Sequence, residues 1–323
     1  MQNKKRMRLE DIKIDLTPKD IDERMWDKEK WRKENSVDYF KYMALLRLAK
    51  DETNTNNIFW MIKKTVDLYL PDTLYKYYAL TDDEELDRKK FETLKGWKVY
   101  LSSPKEFNDP FDGRGFFYNP NEFLDINELR FYGGRIIDDF ASFTISTALT
   151  SNGVNSMPMW AHYGSNHAGY CVSYDMNDEH NSMLRINTYP IQYIKERVDI
   201  SGYLKEYVKQ LMKRIQRYNH RGGDVLKLID NSIVYMNILF TNLKHETWSY
   251  ENEFRCTTAS NSPDAPFNKA KPKELFIGMN CSQNNTNKLI DLAKEMNIDA
   301  YRMRFDDLSD TYDLIPHAVW CKT

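Results

Sequence analysis

Apolar residues in the middle of the chain recur at the spacing of a helix, over two successive stretches. The first series is Leu204, Val208, Leu211 and Ile215, and the second is Leu226, Ile229, Ile233, Met236 and Phe240. Residues three or four positions apart share one face of a helix, so each series predicts an amphipathic helix. Because Gly222 and Gly223 separate the two series, residues 201–244 predict a helical hairpin inserted between strands.

The first 70 residues also have a helical pattern. Thr17-Pro18 is typical of a helix start, with a capping hydroxyl and a proline at the first helical position. Apolar and aromatic residues then predict helices near 39–48 and 58–70, and Pro71 ends the region. Because this region carries no motif with obvious chemistry, we interpret residues 1–70 as an N-terminal helical appendage.

From residue 71 onward, short aromatic or β-branched runs with alternating polarity predict strands. These runs are residues 74–80, 97–104, 141–147, 168–175, 191–194, 247–257, 274–279 and 299–305. Helices are predicted near 91–95, ended by Gly96, and at 282–297, with Ser282 as the cap. The chain is therefore predicted to have an α+β fold: residues 71–323 form an antiparallel β core with a cleft, interrupted by the helical insertion near 201–244.

Composition and charge narrow the class of protein. The 323 residues are 41% hydrophobic and 14% aromatic, which is enough for a sizeable core, and the formal net charge of −2 gives no general attraction to nucleic acid or anionic lipid. No apolar run approaches the ~18 residues of a membrane span. The four cysteines form no CxxC pair, so we expect reduced thiols and no zinc ribbon. These features predict a cytoplasmic protein that does not contact a membrane.

The segment WSYENEFRC, residues 248–256, is the strongest local pattern. As a strand it would place Glu251, Glu253 and Arg255 on one face, opposite an aromatic face packed on the core. One interpretation is a surface ladder in which Arg255 balances the two carboxylates. The other is that Glu253, with Glu251 beside it, stabilises positive charge in a glycosidic reaction.

Two further segments suggest ligand contacts. In LSSPKEFNDPFD, residues 101–112, a strand runs into a turn whose polar side chains either cap nearby backbone or contact a ligand. These side chains are Ser102, Ser103, Asn108, Asp109 and Asp112. In PMWAHYGSNHAGY, residues 158–170, one helical turn ends at Gly164. Its residues Trp160, His162 and Tyr163 are interpreted either as core residues or as a surface that stacks on a base and bonds to a phosphate.

Several common catalytic motifs do not occur in the sequence. There is no GxxxxGK[ST], GxGxxG or GxSxG segment, which argues against a Walker loop, a dinucleotide-binding Rossmann unit and an α/β-hydrolase. His162 and His167 are five positions apart and no HExxH motif accompanies them, so no metal site is predicted.

Taken in order, five segments resemble one prokaryotic and phage family, the domain-of-unknown-function family 2971. They are YKY at 75–77, LSSPKEFNDPFD at 101–112, PMWAHYGSNHAGY at 158–170, WSYENEFR at 248–255 and ELFIG at 274–278. The resemblance covers roughly residue 71 to the C-terminus. The layout is also similar, more loosely, to toxin-type ADP-ribosyltransferases, and Glu251-Asn252-Glu253 resembles the Glu-x-Glu pair of arginine-directed transferases.

This second resemblance implies an enzyme that cleaves the nicotinamide glycosidic bond of NAD and transfers ADP-ribose to a macromolecular acceptor, which the sequence does not identify. Glu253 and Glu251 would be catalytic, and NAD would be the substrate. The expected nucleotide-binding residues are Tyr75, Tyr77, Ser102, Asn108, Asp109, Trp160, His162 and Tyr163.

Two alternatives remain open at the level of sequence. The first is a non-catalytic nucleotide- or nucleic-acid-binding module, for instance in phage defence, with the basic residues 209–221 facing phosphates. The second is a metal-dependent nuclease using Asp109, Asp112, Asp175 and Glu253, which requires these acidic groups to converge on one ion.

Overall fold

The computed structural model describes residues 28–49, 52–130, 133–135, 144–219 and 231–322. The helices are α1 (Lys28–Glu34), α2 (Tyr39–Leu46), α3 (Glu52–Asp67), α4 (Glu84–Lys95), α5 (Asn127–Arg130), α6 (Met157–Tyr163), α7 (Ser182–Asn187), α8 (Ser201–Asn219), α9 (Asn231–Thr241) and α10 (Gln283–Met296). Short 3-10 helices are Pro104–Glu106, Pro120–Phe123, Glu179–Asn181 and Glu246–Glu251.

The strands are β1 (Thr73–Tyr78), β2 (Lys98–Tyr100), β3 (Phe116–Phe117), β4 (Thr144–Thr150), β5 (Tyr170–Asp175), β6 (Thr188–Pro190), β7 (Gln192–Ile194), β8 (Val198–Asp199), β9 (Leu243–His245), β10 (Glu253–Ala259), β11 (Phe267–Lys269), β12 (Glu274–Ile277), β13 (Asp299–Phe305) and β14 (Leu314–Trp320). Eight of them form one sheet in the order β14-β13-β12-β5-β1-β4-β10-β6. All neighbours are antiparallel except β12 and β13. The predicted α+β class with an antiparallel core is confirmed.

The middle of this sheet opens between β1 and β4. Their only register pair among the described residues is Tyr75 with Thr150. β1 pairs along its whole length with β5 on its other side, and β4 pairs along its whole length with β10. The last residue of β4 therefore meets the middle of β1, and the two strands diverge from that point, which opens a cleft in the sheet.

Local signals placed several elements correctly. The Ser282 hydroxyl accepts a hydrogen bond from Asn285 N and starts α10, while Gly96 ends α4 as predicted. Asp83, in the acidic run before α4, caps that helix by accepting from the backbone of Glu85 and Leu86. Short polar side chains at these positions satisfy amide groups that the first turn leaves without partners.

The strand predictions need correction at several places. Residues 248–256 do not form one strand: a 3-10 helix covers Glu246–Glu251, Asn252 is left-handed at φ 42°, and β10 starts at Glu253. Asparagine tolerates this conformation better than most residues, which allows the abrupt change. The strands β3, β6, β8, β9, β11 and β14 were not predicted. The first five are only two or three residues long, too short for an alternating pattern, and Pro316 interrupts the pattern of β14.

The helices at residues 28–70 pack on the helices of the insertion. Tyr39 and Val208 belong to one buried apolar cluster, and the Phe59 ring stacks on Tyr235 with centroids 3.8 Å apart. The Tyr39 hydroxyl also donates to Pro190 O at 2.5 Å. The division of the chain at residue 70 stays a prediction. The predicted helix start at Thr17, the glycines at 222–223 and the first three residues of the predicted strand 141–147 lie outside the described residues.

Within the described ranges, no helix combines the length and apolar character that crossing a membrane requires. The four cysteines are free thiols, and all but Cys321 are buried.

Candidate functional site

A cleft of about 990 Å³ lies where β1 and β4 diverge. The helices α4 and α6, the turn after β2 and the start of β10 complete its walls. Eight residues of the predicted site line this cleft: Tyr75, Tyr77, Ser102, Asn108, His162, Tyr163, Glu251 and Glu253. Segments far apart in the sequence thus converge on one cavity, whose volume lies at the upper end of the usual range for small-molecule sites.

Two predicted ligand residues lie outside the cleft lining. The Trp160 side chain has no exposed surface and donates its Nε1 hydrogen to Val154 O at 2.8 Å, so its ring is part of the core and presents no face to a ligand. Asp109 accepts from Phe111 N at 2.9 Å and caps its own turn. The expected ligand contacts of Trp160 and Asp109 are therefore not supported.

Charged side chains form a buried cluster at the inner wall of the cleft. Arg255 donates to both oxygens of Asp112, at 2.7 and 2.6 Å, and through Nε to Glu253 Oε1 at 2.5 Å. Lys244 donates to Glu251 Oε2 at 2.6 Å and to Glu253 Oε2 at 2.8 Å. Three carboxylates and two cations are thus linked. The predicted surface ladder is wrong, because the side chains of all five residues are at most 4% exposed.

The change from 3-10 helix to strand brings the two glutamates together. Residues two apart on a strand share a face, which places Glu253 beside Arg255. Glu251 lies on the preceding 3-10 helix, and its backbone carbonyl accepts from the Thr150 hydroxyl at 2.6 Å. The left-handed Asn252 then turns the chain so that the Glu251 carboxylate meets the same lysine as Glu253.

The two glutamates have opposite pKa shifts. Burial opposes ionisation of Glu253, but the charges of Arg255 and Lys244 outweigh it and lower the pKa of Glu253 to about 2. Burial raises the pKa of Glu251, and the neighbouring Glu253 carboxylate raises it further against the opposing effect of Lys244. The cluster therefore holds one carboxylate that stays ionised and one that is easier to protonate.

The helix α6 brings a hydroxyl to this pair. Tyr163 donates to Glu251 Oε1 at 2.5 Å, which links the PMWAHY segment to the WSYENEFR segment. α6 ends at Gly164, as predicted, where a Cβ would lie 2.7 Å from the Trp160 ring. Three consecutive left-handed residues follow, Ser165 to His167, so the chain reverses tightly toward β5.

Comparison with known proteins supports the family resemblance over part of the chain. Residues 159–256 match the family model described as Protein of unknown function (DUF2971). The predicted family resemblance is confirmed over these residues. No curated protein and no solved structure matches the chain.

The DUF2971 match runs from α6 to β10 and so includes Tyr163, Lys244, Glu251, Glu253 and Arg255. It is narrower than the predicted resemblance, because YKY, LSSPKEFNDPFD and ELFIG lie outside it. Four residues of the buried cluster therefore lie within the matched range, and the fifth, Asp112, lies before it.

The roles of three residues that line the cleft were not predicted from the sequence. Lys244 has no motif around it, and Asp112 was considered as a polar residue of its turn or as a metal ligand, but not as the partner of an arginine. Lys76, the central residue of YKY, also lines the cleft, and its Nζ donates to Thr147 Oγ1 at 2.7 Å. A charged residue between strand tyrosines was an available signal for Lys76, whereas only the fold brings Lys244 to Glu253.

No group of three or more histidine, cysteine or acidic side chains in the described residues is arranged to hold a metal ion. Of the four acidic residues of the nuclease alternative, only Asp112 and Glu253 belong to the buried cluster. Asp112 and Glu253 are bound to Arg255, while Asp175 lies 3.6 Å from Lys273. The arrangement of these residues therefore does not support the nuclease alternative.

Proposed function

We propose that this protein is an ADP-ribosyltransferase-like enzyme, which cleaves the nicotinamide glycosidic bond of NAD and transfers ADP-ribose to a macromolecular acceptor. The observation that carries the proposal is the pair Glu251 and Glu253 at the wall of a nucleotide-sized cleft, one stably ionised and one with a raised pKa.

Glu253 is the residue that would stabilise positive charge. When nicotinamide leaves, the ribose carbon becomes oxocarbenium-like, and a fixed carboxylate lowers the energy of that state. Arg255 and Lys244 hold both oxygens of Glu253 in place. With its three acidic and two basic groups ionised, the cluster retains one net negative charge, which favours a cation at this wall.

Glu251 is the residue that would orient the acceptor and take its proton. A general base works best when its pKa approaches the working pH, and the pKa of Glu251 is shifted in that direction. The hydrogen bond from Tyr163 holds one oxygen of this carboxyl group. Transfer would then join the acceptor to the ribose carbon as the acceptor loses its proton to Glu251.

The rest of the nucleotide would lie along the open part of the cleft. Tyr75 offers a partly buried aromatic ring, and Ser102, Asn108 and His162 offer polar groups for the ribose and phosphates. Tyr77 has a mainly structural role, because its hydroxyl donates to Gly153 O at 2.7 Å and its ring packs against Trp160.

The test is release of nicotinamide from NAD by the purified protein. We expect the rate of nicotinamide release to be about 100-fold or more lower in Glu253→Gln, which is the effect of removing one electrostatic stabiliser. Glu251→Gln should retain slow hydrolysis but lose transfer to an acceptor. The matched control is Glu246→Gln, the same change on an exposed residue of the same 3-10 helix. Absence of release from the wild-type protein, or equal rates in Glu253→Gln and Glu246→Gln, would reject the proposal.

A second candidate is a non-catalytic nucleotide-binding module. It is favoured by one observation: both oxygens of Glu253 are already bonded to cations, so the cluster is complete without a ligand. Binding of NAD or ADP-ribose without nicotinamide release would support this candidate. Its proposed setting is phage defence, which a plaque count with and without the expressed protein would test.

For either candidate we propose a cytoplasmic location. The four cysteines are free, and a reducing compartment preserves such thiols. Fractionation of cells that express the tagged chain tests this location.

A further inference from the structure

Lys76 differs from the other cations of the cleft. Six lysine or arginine side chains line the cavity, and five of them have a carboxylate oxygen within 4.0 Å. Those five are Arg88, Lys89, Lys90, Lys244 and Arg255. In the part of the chain that the structure describes, no ion pair involves Lys76. Among the described residues, Lys76 is therefore the one cation of this cavity that has no carboxylate within ion-pair distance, although Arg88 and Lys89 share the single carboxylate of Glu85.

The Lys76 side chain crosses the gap between the two diverging strands. From β1, its Nζ donates to Thr147 Oγ1 at 2.7 Å and lies 3.4 Å from Ala148 O, both on β4. The centroid of the Tyr78 ring lies 5.2 Å away. These partners are neutral. An ammonium group has three N–H donors, so hydroxyl and carbonyl partners leave both a donor and the full positive charge available.

We propose that Lys76 is the anion-binding residue of the cleft and receives a phosphate group of the nucleotide at the gap between β1 and β4. The inference deepens the proposed function, because it states where the charged part of that ligand lies. Lys76 is partly buried. A cation that has lost part of its water shell is stabilised by a bound anion, and a charge-assisted hydrogen bond is stronger than a neutral one.

The protonation behaviour of Lys76 agrees with this role. Burial lowers its pKa to about 8, and the negative charge of Glu253 only partly opposes this effect. The ammonium therefore lacks the compensation that a close carboxylate would give. A ligand phosphate at hydrogen-bond distance would supply it and would hold the proton on Lys76.

The first experiment compares charged and uncharged ligands by calorimetry. Loss of one charge-assisted hydrogen bond predicts that Lys76→Met weakens ADP binding by about 10- to 100-fold. Adenosine, which has no phosphate, should bind Lys76→Met and wild type alike. Lys76→Arg should keep most of the ADP affinity. The matched control is Lys89→Met, since Lys89 lines the same cleft but pairs with Glu85, and its ADP affinity should be nearly unchanged.

A second measurement uses the wild-type protein and so does not depend on the folding of a variant. Lysines are acetylated with a water-soluble reagent in the presence of ADP or adenosine, and modified peptides are quantified by mass spectrometry. ADP should protect Lys76 several-fold more than adenosine does, while Lys89 is modified equally in both. Equal modification of Lys76 with both ligands, no ADP binding at all, or an equal loss of ADP and adenosine affinity in Lys76→Met would overturn the inference.

These outcomes are separate from the test of catalysis, because ADP carries no nicotinamide. If binding depends on Lys76 and on the phosphate but no nicotinamide is released, the transferase proposal is rejected and the anion-site proposal stands. Release of nicotinamide together with unchanged ADP binding in Lys76→Met rejects the anion site alone.

Discussion

Arg255 and Asp112, 143 positions apart in the chain, face each other through two hydrogen bonds of 2.7 and 2.6 Å. This bidentate pair ties the turn after β2 to strand β10, so it joins two of the segments in which sequence analysis placed ligand contacts. Phe107 of the same turn covers the guanidinium, with 4.9 Å between the ring centroid and Cζ. The cleft wall is therefore held by a charged contact that is closed off from water.

Breaking this pair should destabilise the protein strongly. Arg255→Met leaves Asp112 and Glu253 buried without their main cation, and removing one partner of a buried ion pair costs about 3–5 kcal/mol. Urea unfolding at neutral pH measures the change. The control is Arg88→Met, which removes an arginine whose partner Glu85 is also exposed and should have little effect. Similar losses in the two variants would contradict the central role of the buried pair.

The stability contributed by Glu253 should depend on pH. Its pKa is lowered from 4.5 to about 2, so as the pH falls the unfolded state binds the proton first. The stabilisation is complete above the unfolded-state pKa and is lost as the pH falls from about 4.5 toward 2. Unfolding free energies of wild type and Glu253→Gln should therefore converge over this window. A difference that stays constant from neutral to acid pH would contradict the shift.

Glu251 should behave in the opposite way. Because burial and the adjacent Glu253 raise its pKa, the folded state keeps the Glu251 proton to a higher pH than the unfolded state does. Its ionisation therefore costs stability as the pH rises through the folded-state pKa. Glu251→Gln should be less destabilising than Glu253→Gln in urea unfolding at neutral pH. A larger loss in Glu251→Gln would show that its bonds to Lys244 and Tyr163 outweigh the repulsion.

Gly278 should not tolerate a side chain. A Cβ on Gly278 would lie 2.1 Å from His167 O, in the tight turn that follows α6. Gly278→Ala must move that turn, and such overpacking typically costs about 1–3 kcal/mol. Thermal unfolding tests this against Gly96→Ala, where the nearest atom lies 3.4 Å away and φ is −76°. Equal melting temperatures for the two variants would contradict the close contact.

Lys63 is a buried lysine outside the cleft, with Nζ 3.5 Å from the Tyr189 ring centroid. Burial lowers its pKa from 10.5 to about 7, so the unfolded state binds more protons than the folded state between these values, and stability should rise with pH across that range. Each pKa unit corresponds to about 1.4 kcal/mol of unfolding free energy. Lys63→Met should therefore be more stable than wild type at neutral pH, and its stability should depend less on pH. Urea unfolding at several pH values measures both. A variant that is less stable at neutral pH would show that the ring contact outweighs the cost of burial.

Short-range patterns in the sequence predicted many of the helices and strands. The caps Ser282 and Gly96, the helical spacing of Leu204 and Val208, and the alternation of β5 depend on neighbours a few residues away, and each was predicted. The match of residues 159–256 to the DUF2971 model also follows from sequence alone. Alternation in EFR placed Glu253 and Arg255 on one face for the same local reason.

Contacts between distant segments decided the rest. The sequence by itself determined the element types, the α+β class and the family resemblance, because helix and strand periods and capping groups act locally. Only the tertiary structure decided that Asp112 and Lys244 complete the cluster, that Trp160 belongs to the core and that Lys76 keeps an unpaired charge among the described residues. Burial and ion pairing depend on which segments meet in space, and sequence spacing does not encode those distances.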